Sequence, residues 1–526
     1  MNILFKLLHG RVRGLDRVIR SPDERGRFGR MFQLKPAKFG QSDSENEANL
    51  KLLAKSMVAD FDKPFDGVDP EESGIPALYT YLGQFIDHDL TFDPGSSLQK
   101  QNDPDALVDF RIPAFDLDNV YGRGPDDQPY MYQADGKSLL LGVPISGGNA
   151  GARDLPRNNP TAGDPCADPV KNPARALIGD PRNDENSIVS QLQGLFLRFH
   201  NRVVAENPSL KFAAVQDLVR YHYQYVVLND FLPRIVHSDV IAALQTDGAY
   251  DRTKLQFYDL SRPGFMPVEF AVAAYRLGHS MIRPGYRLND KVLLPIFPVP
   301  SQGLTDGLTG FRALNPNWGI DWGRFIDIDV RDFNDPPDPD KPPPGHIPKR
   351  LQFAYRIDTS AVNPLSNLPL SVASDILSLP ERNLLRGWRL GLPTGQDVAK
   401  AMGVTPLNDA EILLGKFVDP PTPPEVPEKL TPITEVSSVF AGNCPLWTYI
   451  LAETRSFIEN VKIPVTEDVS VTTPKLGPVG GRIVAETFVG LMFADPCSLL
   501  NQDRCWLPKL GAGYRLKDFV NYALGN

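Results

Sequence analysis

Apolar residues recur with the helical period of about 3.6 over residues 76–90, 187–205, 211–228, 266–282, 396–402 and 481–493. Strict apolar/polar alternation is scarce, so strands are expected to be few, short and paired. Proline is frequent between the helical segments, 50 in all, with runs such as Asp335-Pro-Pro-Asp-Pro-Asp-Lys-Pro-Pro-Pro and Asp419-Pro-Pro-Thr-Pro-Pro. Such runs read as surface loops. No Ser/Gly linker and no repeat divides the chain, which predicts a mainly α, large single-domain fold with long irregular loops and little β. The first residues differ. Leu4, Leu8, Val12, Leu15 and Ile19 line one helical face, and Lys6, Arg11, Arg13, Arg17 and Arg20 add positive charge. Residues 1–60 are therefore read as an N-terminal extension with a basic amphipathic helix over 1–20, and 61–526 as the main domain. The helix would dock either on its own domain or, peripherally, on an anionic membrane.

Composition narrows the functional classes. The 526 residues, 42% of them hydrophobic, suffice for a large core, and the net charge of -9 argues against nucleic acid as a partner. No stretch approaches the roughly 20 apolar residues of a membrane span, and the N-terminus lacks a secretory cleavage pattern. A soluble protein is expected, cytoplasmic or exported by a non-classical route. The four cysteines, Cys166, Cys444, Cys497 and Cys505, form no CxxC pair. Neither a zinc site nor a disulfide scaffold is indicated. Cys497 and Cys505 admit either a local bridge or two free thiols.

The segment Gly74-Ile-Pro-Ala-Leu-Tyr-Thr-Tyr-Leu-Gly-Gln-Phe-Ile-Asp-His-Asp predicts a helix opened by Pro76 and ending near residue 90. In projection, Ile75, Leu78, Tyr79, Leu82, Phe85 and Ile86 share an apolar arc, while Gln84, Asp87 and His88 cluster on another. Asp89 falls within the apolar arc, where a carboxylate either needs a cation or belongs to a helix end that frays into water. Asp116 and Asp118 alternate as hard oxygen ligands do; alone, such a pair is more often a solvated turn. His279 shares a helical face with Val268, Val272, Tyr275 and Ile282, the setting of many packed core histidines. His200 and His222 are read as packing residues, and His9, His237 and His346 as solvent-facing.

Gly83-Gln-Phe-Ile-Asp-His-Asp-Leu-Thr closely resembles the distal-histidine signature of the peroxidase-cyclooxygenase superfamily, the animal-type haem peroxidases and their bacterial relatives. Gly179-Asp-Pro-Arg-Asn-Asp-Glu with Leu195-Phe-Leu-Arg-Phe-His-Asn-Arg is similar to its distal-arginine segment. Glu269-Phe-Ala-Val-Ala-Ala-Tyr-Arg-Leu-Gly-His-Ser-Met-Ile is similar to the proximal-histidine helix, and Arg386-Gly-Trp-Arg-Leu-Gly-Leu-Pro-Thr-Gly-Gln to the segment supplying that histidine's partner. Gly480-Gly-Arg-Ile-Val-Ala-Glu-Thr-Phe completes the order, which spans roughly residues 70–520. The scarcity of cysteine favours a bacterial-type member.

The resemblance implies a haem peroxidase fold over 61–526 and haem b as cofactor, with His279 on the iron. It implies Gln396 as the hydrogen-bond partner of His279, a glutamine where the family has asparagine, and Arg276 at a haem propionate. His88 would move the peroxide proton, Arg182 would stabilise developing charge and Gln84 would hold distal water. Asp87 and Glu185 match carboxylates that can form ester links to haem. Asn186 replaces the methionine that makes a sulfonium link in some members, which disfavours chloride oxidation. Asp89, the carbonyl of Ala114, Asp116 and Asp118 match calcium ligands; Ile112 stands where threonine is usual and Asp118 where serine is common. The implied activity is reduction of hydrogen peroxide through a ferryl intermediate with oxidation of bromide, iodide, thiocyanate or phenols. The rivals are a haem-dependent fatty-acid dioxygenase and a non-catalytic haem-binding module. Against the first, its radical tyrosine position holds Arg276, and Tyr275 is turned by about 100° on a helix. Against the second, Gln84, His88 and Arg182 are all present.

Overall fold

Helices of seven residues or more in the computed structural model are α1 (Asp43–Ser56), α2 (Leu78–Leu90), α3 (Ser187–Glu206), α4 (Phe212–Val226), α5 (Leu379–Arg389), α6 (Gly395–Ala401), α7 (Leu446–Glu453), α8 (Pro478–Ala494) and α9 (Leu516–Leu524). The structure describes residues 28–526 except 65–66, 93–108, 110, 159–173, 263, 336–342, 371, 374, 420–428 and 466–467. The N-terminal basic segment, His9, Cys166 and parts of both proline runs lie outside the described residues. Among those described, strands form only two-stranded sheets, so the expected mainly helical fold with little β holds. No described helix is long and apolar enough to cross a membrane.

Local signals explain the helix starts. Ser42, Asn186 and Ser378 cap α1, α3 and α5 by accepting from backbone N–H groups one turn in. α2 starts two residues later than its sequence predicts, because Ile75 and Pro76 end a strand, Glu72–Pro76, paired antiparallel with Phe353–Tyr355. α2 packs on α3, and α3 on α4 and α9. Their buried faces include Phe85, Phe196 and Tyr223; Phe85 stacks on Phe196 with ring centroids 4.2 Å apart. α4 runs into a π-helical turn, Val227–Phe231, before Pro233. Asp230 in that turn accepts from the Tyr79 hydroxyl at 2.6 Å, from Arg234 Nε at 2.8 Å and from the Leu516 N–H at 2.8 Å, tying α2, α4 and α9 together.

α8 is buried except at Pro478, Arg482 and Ala494, and it packs against the wholly buried α7. Their close approach requires Gly480, where a Cβ would stand 2.4 Å from Ile450 Cγ2. Glu453 at the end of α7 then accepts from the N–H groups of Val479 and Gly480 in the first turn of α8. Residues 28–57 are built into this core: Phe28–Gly29 pairs in parallel with Met266–Pro267, and α1 packs on α5.

The segment 266–282 departs from its expected single helix. It is a strand residue pair, a short helix Val268–Val272, a break at Ala273 (φ -126°, ψ -70°) and a tight 3-10 stretch Ala274–His279. The carbonyl of Ala271 is taken by Arg276 Nε at 2.9 Å instead of by a backbone N–H one turn on. The helical ladder therefore stops there.

Candidate functional site

Gln84, Asp87 and His88, on the last turns of α2, converge on a cavity of about 330 Å³ that Arg182, Glu185, Arg276, His279, Asn383 and Arg386 also line. Four chain segments therefore meet there. His88 is buried, with Nδ1 2.7 Å from Asn183 Oδ1 and Nε2 3.8 Å from Glu185 Oε1. Burial, reinforced by the Arg182 guanidinium, lowers its pKa to about 4, so the ring is neutral near pH 7 and one nitrogen keeps a lone pair.

Arg182 sits in the 3-10 turn Pro181–Asp184, whose N-terminus Asp180 caps. Its Nη2 donates to Asp180 Oδ2 at 2.8 Å, to the carbonyl of His88 at 3.2 Å and to that of Thr91, and its guanidinium lies 4.6 Å over the Phe92 ring. Burial opposes ionisation of Asp180, but the guanidiniums of Arg182 and Arg111 hold it well below the usual carboxylate range. Glu185 goes the other way: burial raises it to about 7 despite Arg182. Gln84 donates to Glu185 through Nε2 and accepts from Asn186 Nδ2 at 3.1 Å. Asn186, expected only to remove a sulfonium link, thus caps α3 and orients Gln84. Asp87 lies 3.6 Å from Arg276; burial opposes its ionisation, but Arg276 and Arg182 lower its pKa overall.

His279 closes the 3-10 stretch, and burial followed by the Arg276 charge lowers its pKa to about 3. It is a neutral imidazole and can offer a lone pair to a metal. The expected partner, Gln396, is not the one found. The side-chain amide of Asn383 on α5 lies 2.8 Å from His279 Nδ1, whereas Gln396 on α6 accepts from the Cys444 N–H at 2.9 Å. The physical reason is that α5 lies against the proximal segment while Gln396 lies a loop and a helix further on. An asparagine is thus beside His279, one turn before Arg386, in a stretch whose helix the sequence pattern did not reveal. Asn183 and Asp180 were likewise missed, although Asp180 before Pro181 is a recognisable capping signal.

The carboxylates of Asp89, Asp116 and Asp118 are buried and lie within 4.8 Å of one another. Among the described residues, neither Asp89 oxygen has a hydrogen-bond partner. Burial, then the neighbouring Asp116 and Asp118, raise its pKa well above the ordinary value. Leu117 between the latter two is left-handed (φ 58°), a conformation costing roughly 1–2 kcal/mol for a non-glycine residue. The donor set suits a hard cation. The Ile112 carbonyl accepts from the Ala114 N–H at 2.7 Å. Arg111 Nη1 donates to Asp118 Oδ1 at 2.9 Å and its Nε to Asp180 Oδ2 at 3.1 Å. The charge of Asp118 is therefore matched by a guanidinium.

Tyr275 differs from its expectation. With the helix broken at Ala273, its buried phenol lines a second cavity of about 120 Å³ together with Gln84, His88 and His279, and its hydroxyl has no hydrogen-bond partner among the described residues. His200 packs as expected, between the Tyr121 hydroxyl at 3.0 Å and the Lys137 carbonyl at 2.9 Å, and His222 packs among aromatic rings. His237 is not freely solvated, since it accepts from the Asp239 N–H. Cys444, Cys497 and Cys505 are free thiols.

A family model described as animal haem peroxidase matches residues 112–297. The chain is 30% identical to thyroid peroxidase of Sus scrofa over 187 residues, which is 33% of this chain and 19% of that protein. It is 28% identical to thyroid peroxidase of Homo sapiens over 291 residues, 53% of this chain and 28% of that one. The matched part is thus under a third of those relatives' length. Peroxidase A from Dictyostelium discoideum shares the fold, with a TM-score of 0.57 at 16% identity, covering 91% of this chain and 89% of that one. The fatty acid alpha-dioxygenase of Oryza sativa also shares it, at 0.50 and 14%, covering 93% and 78%. Residues 112–297 thus resemble the animal haem peroxidases in sequence, and the fold is one shared with Peroxidase A of Dictyostelium discoideum.

Proposed function

We propose that the chain is a haem peroxidase that reduces hydrogen peroxide and oxidises a small donor: bromide, iodide, thiocyanate or a phenol. The observation that carries this reading is one cavity lined by two neutral imidazoles in unlike company. His88 stands with Arg182 and Gln84, and His279 with Asn383 and Arg276. Haem b, when bound, supplies an iron that exchanges electrons with peroxide and donor. His279 would hold the iron through one ring nitrogen, and the Asn383 amide, whose Nδ2 lies 2.8 Å from Nδ1, would turn its oxygen to accept the Nδ1 proton and so fix the ring and raise its basicity. Arg276 and Arg386 are the cations for the propionates. Asp87 and Glu185 occupy the positions from which relatives form ester links.

His88 would accept a proton from one peroxide oxygen at its free nitrogen and pass it to the other, which can leave as water only with the two electrons that bound haem would supply. Arg182 stabilises negative charge as the O–O bond breaks. Gln84, held between Asn186 and Glu185, positions the reacting water or peroxide. Asp89, the Ala114 carbonyl, Asp116 and Asp118 are assigned to calcium. Residues 61–526 are assigned as the catalytic domain, with 28–60 packed onto it.

The test is stopped-flow absorbance of the haem-loaded protein after mixing with hydrogen peroxide, followed by each donor. A fast spectral change reversed by donor is expected. No change would overturn the reading. A second reading, a fatty-acid dioxygenase, is favoured by the Tyr275 phenol in the adjoining cavity. Oxygen uptake with an unsaturated fatty acid, lost in Tyr275→Phe, would establish it in place of the first.

A further inference from the structure

Behind the distal imidazole, the side-chain amides of Asn183 and Gln193 form a chain of hydrogen bonds with one direction, ending on the backbone carbonyl of Asn119. The carbonyl of Asn119 can only accept, so Gln193 must turn its Nε2 toward it, at 3.4 Å. The reversed amide would set oxygen against oxygen. Gln193 Oε1 then faces Asn183, which donates Nδ2 to it at 2.8 Å. The Asn183 Oδ1 is left facing His88 Nδ1 at 2.7 Å. Asn119 is itself fixed, donating Nδ2 to the Phe85 carbonyl of α2 at 3.1 Å and accepting the Asp180 N–H at 3.1 Å. Asn119, Asn183 and Gln193 are each 0% exposed, so water does not offer an alternative partner.

We propose that Asn183 is a positioning residue that fixes His88 as the tautomer carrying its proton on Nδ1, so that Nε2 presents a lone pair to the cavity. The direction comes from a backbone carbonyl two amides away. Without the relay both tautomers of a neutral imidazole are open, and only one can accept a proton from a molecule in the cavity. Asn183 touches no substrate in this scheme; it acts through His88. Gln193 acts one step further back.

The inference rests on the peroxidase reading only for its kinetic consequence, so the test has two readouts. In the haem-loaded, carbon-monoxide-bound ferrous protein labelled with ¹⁵N-histidine, long-range proton–nitrogen correlations report each ring's tautomer, with His88→Gln identifying the His88 signals. His88 should carry its proton on Nδ1 in the native protein. It should lose that preference in Asn183→Ala and keep it in Asn183→Asp, whose carboxylate still accepts. Gln193→Met, which leaves Asn183 in place but removes its acceptor, should give a mixture. The rate of reaction with hydrogen peroxide should fall roughly 10- to 100-fold in Asn183→Ala, part of the 10²–10⁴ that a placed acid–base contributes, with recovery in Asn183→Asp. A native His88 protonated on Nε2, or a tautomer unchanged in both Asn183→Ala and Gln193→Met, overturns the proposal. The tautomer pattern together with no peroxide reaction in the native protein would uphold the relay and remove the peroxidase reading instead.

Discussion

His279 and Arg182 are each held by a small number of named contacts, and each supports a test at the scale of one side chain. Asn383 is the amide beside His279 Nδ1. Asn383→Ala should therefore weaken haem retention or donor oxidation by about 10- to 100-fold, the usual cost of losing a ligand's partner. Gln396→Ala should leave both unchanged, since that side chain meets the Cys444 backbone. Haem-loss kinetics to an apo-acceptor protein separates the two, and equal losses in both variants would defeat the assignment. Arg182 is anchored by Asp180 and two carbonyls. Arg182→Ala should lower the peroxide rate about 10²- to 10³-fold, the effect of deleting one charge-stabilising donor, without loss of bound haem. The distal residues Gln84, Asp87, His88 and Arg182 were legible in the sequence because short motifs carry them. Asn383 was not, because it lies upstream of the stretch read for the partner. Asn183 was passed over inside a motif that was read, since only the fold brings it behind His88.

Among elements, what could be read from periodicity was the long amphipathic helices; α2, α3, α4 and α8 lie within two or three residues of their expected bounds, apart from the earlier start of α8 at Pro478. The proximal segment could not be read this way. Its period is helical, but Arg276 Nε takes the Ala271 carbonyl and the ladder stops, which changes where Tyr275 points. α1, α5, α7 and α9 were missed as well; α5 has Pro380 in its first turn and few apolar residues, so its cap and its packing on α1 define it more than its pattern does. The junction of α7 and α8 predicts a pH effect. Glu453 is raised by burial, against the Gly480 and Val479 N–H groups, to about 8 from an ordinary 4.5. Between those values the folded chain holds a proton that the unfolded chain has released, so this group's contribution to stability declines as pH rises through that window. Glu453→Gln should flatten the fall in melting temperature between about pH 5 and pH 8, measured by calorimetry on native and variant protein side by side. Parallel curves would refute the assignment.

Over the whole molecule, the distal site and the acidic cluster are joined by Arg111, which contacts Asp118 on one side and Asp180 on the other, while Asp180 orients Arg182. Asp89 is buried beside Asp116 and Asp118, and burial with these two neighbours raises its pKa, so its ionised form is costly there unless a cation answers it. Calcium should therefore stabilise the native chain, by about 2.7 kcal/mol when present at 100 times its dissociation constant, and a chelator should reverse the gain. Asp89→Asn should abolish most of the shift, because the removed charge has no other partner among the described residues. Arg111→Gln should act in the opposite sense on binding, since freeing Asp118 strengthens the cluster's pull on a divalent ion. The same substitution should slow the peroxide reaction when calcium is withheld, as Asp180 loses one of the two cations that hold it in place. Thermal melts with calcium or chelator, run on the native chain and both variants, check the first three expectations, and stopped-flow on Arg111→Gln checks the fourth. A native melting temperature indifferent to calcium would remove the cation assignment and leave Arg111 as a purely electrostatic link between Asp118 and the distal arginine.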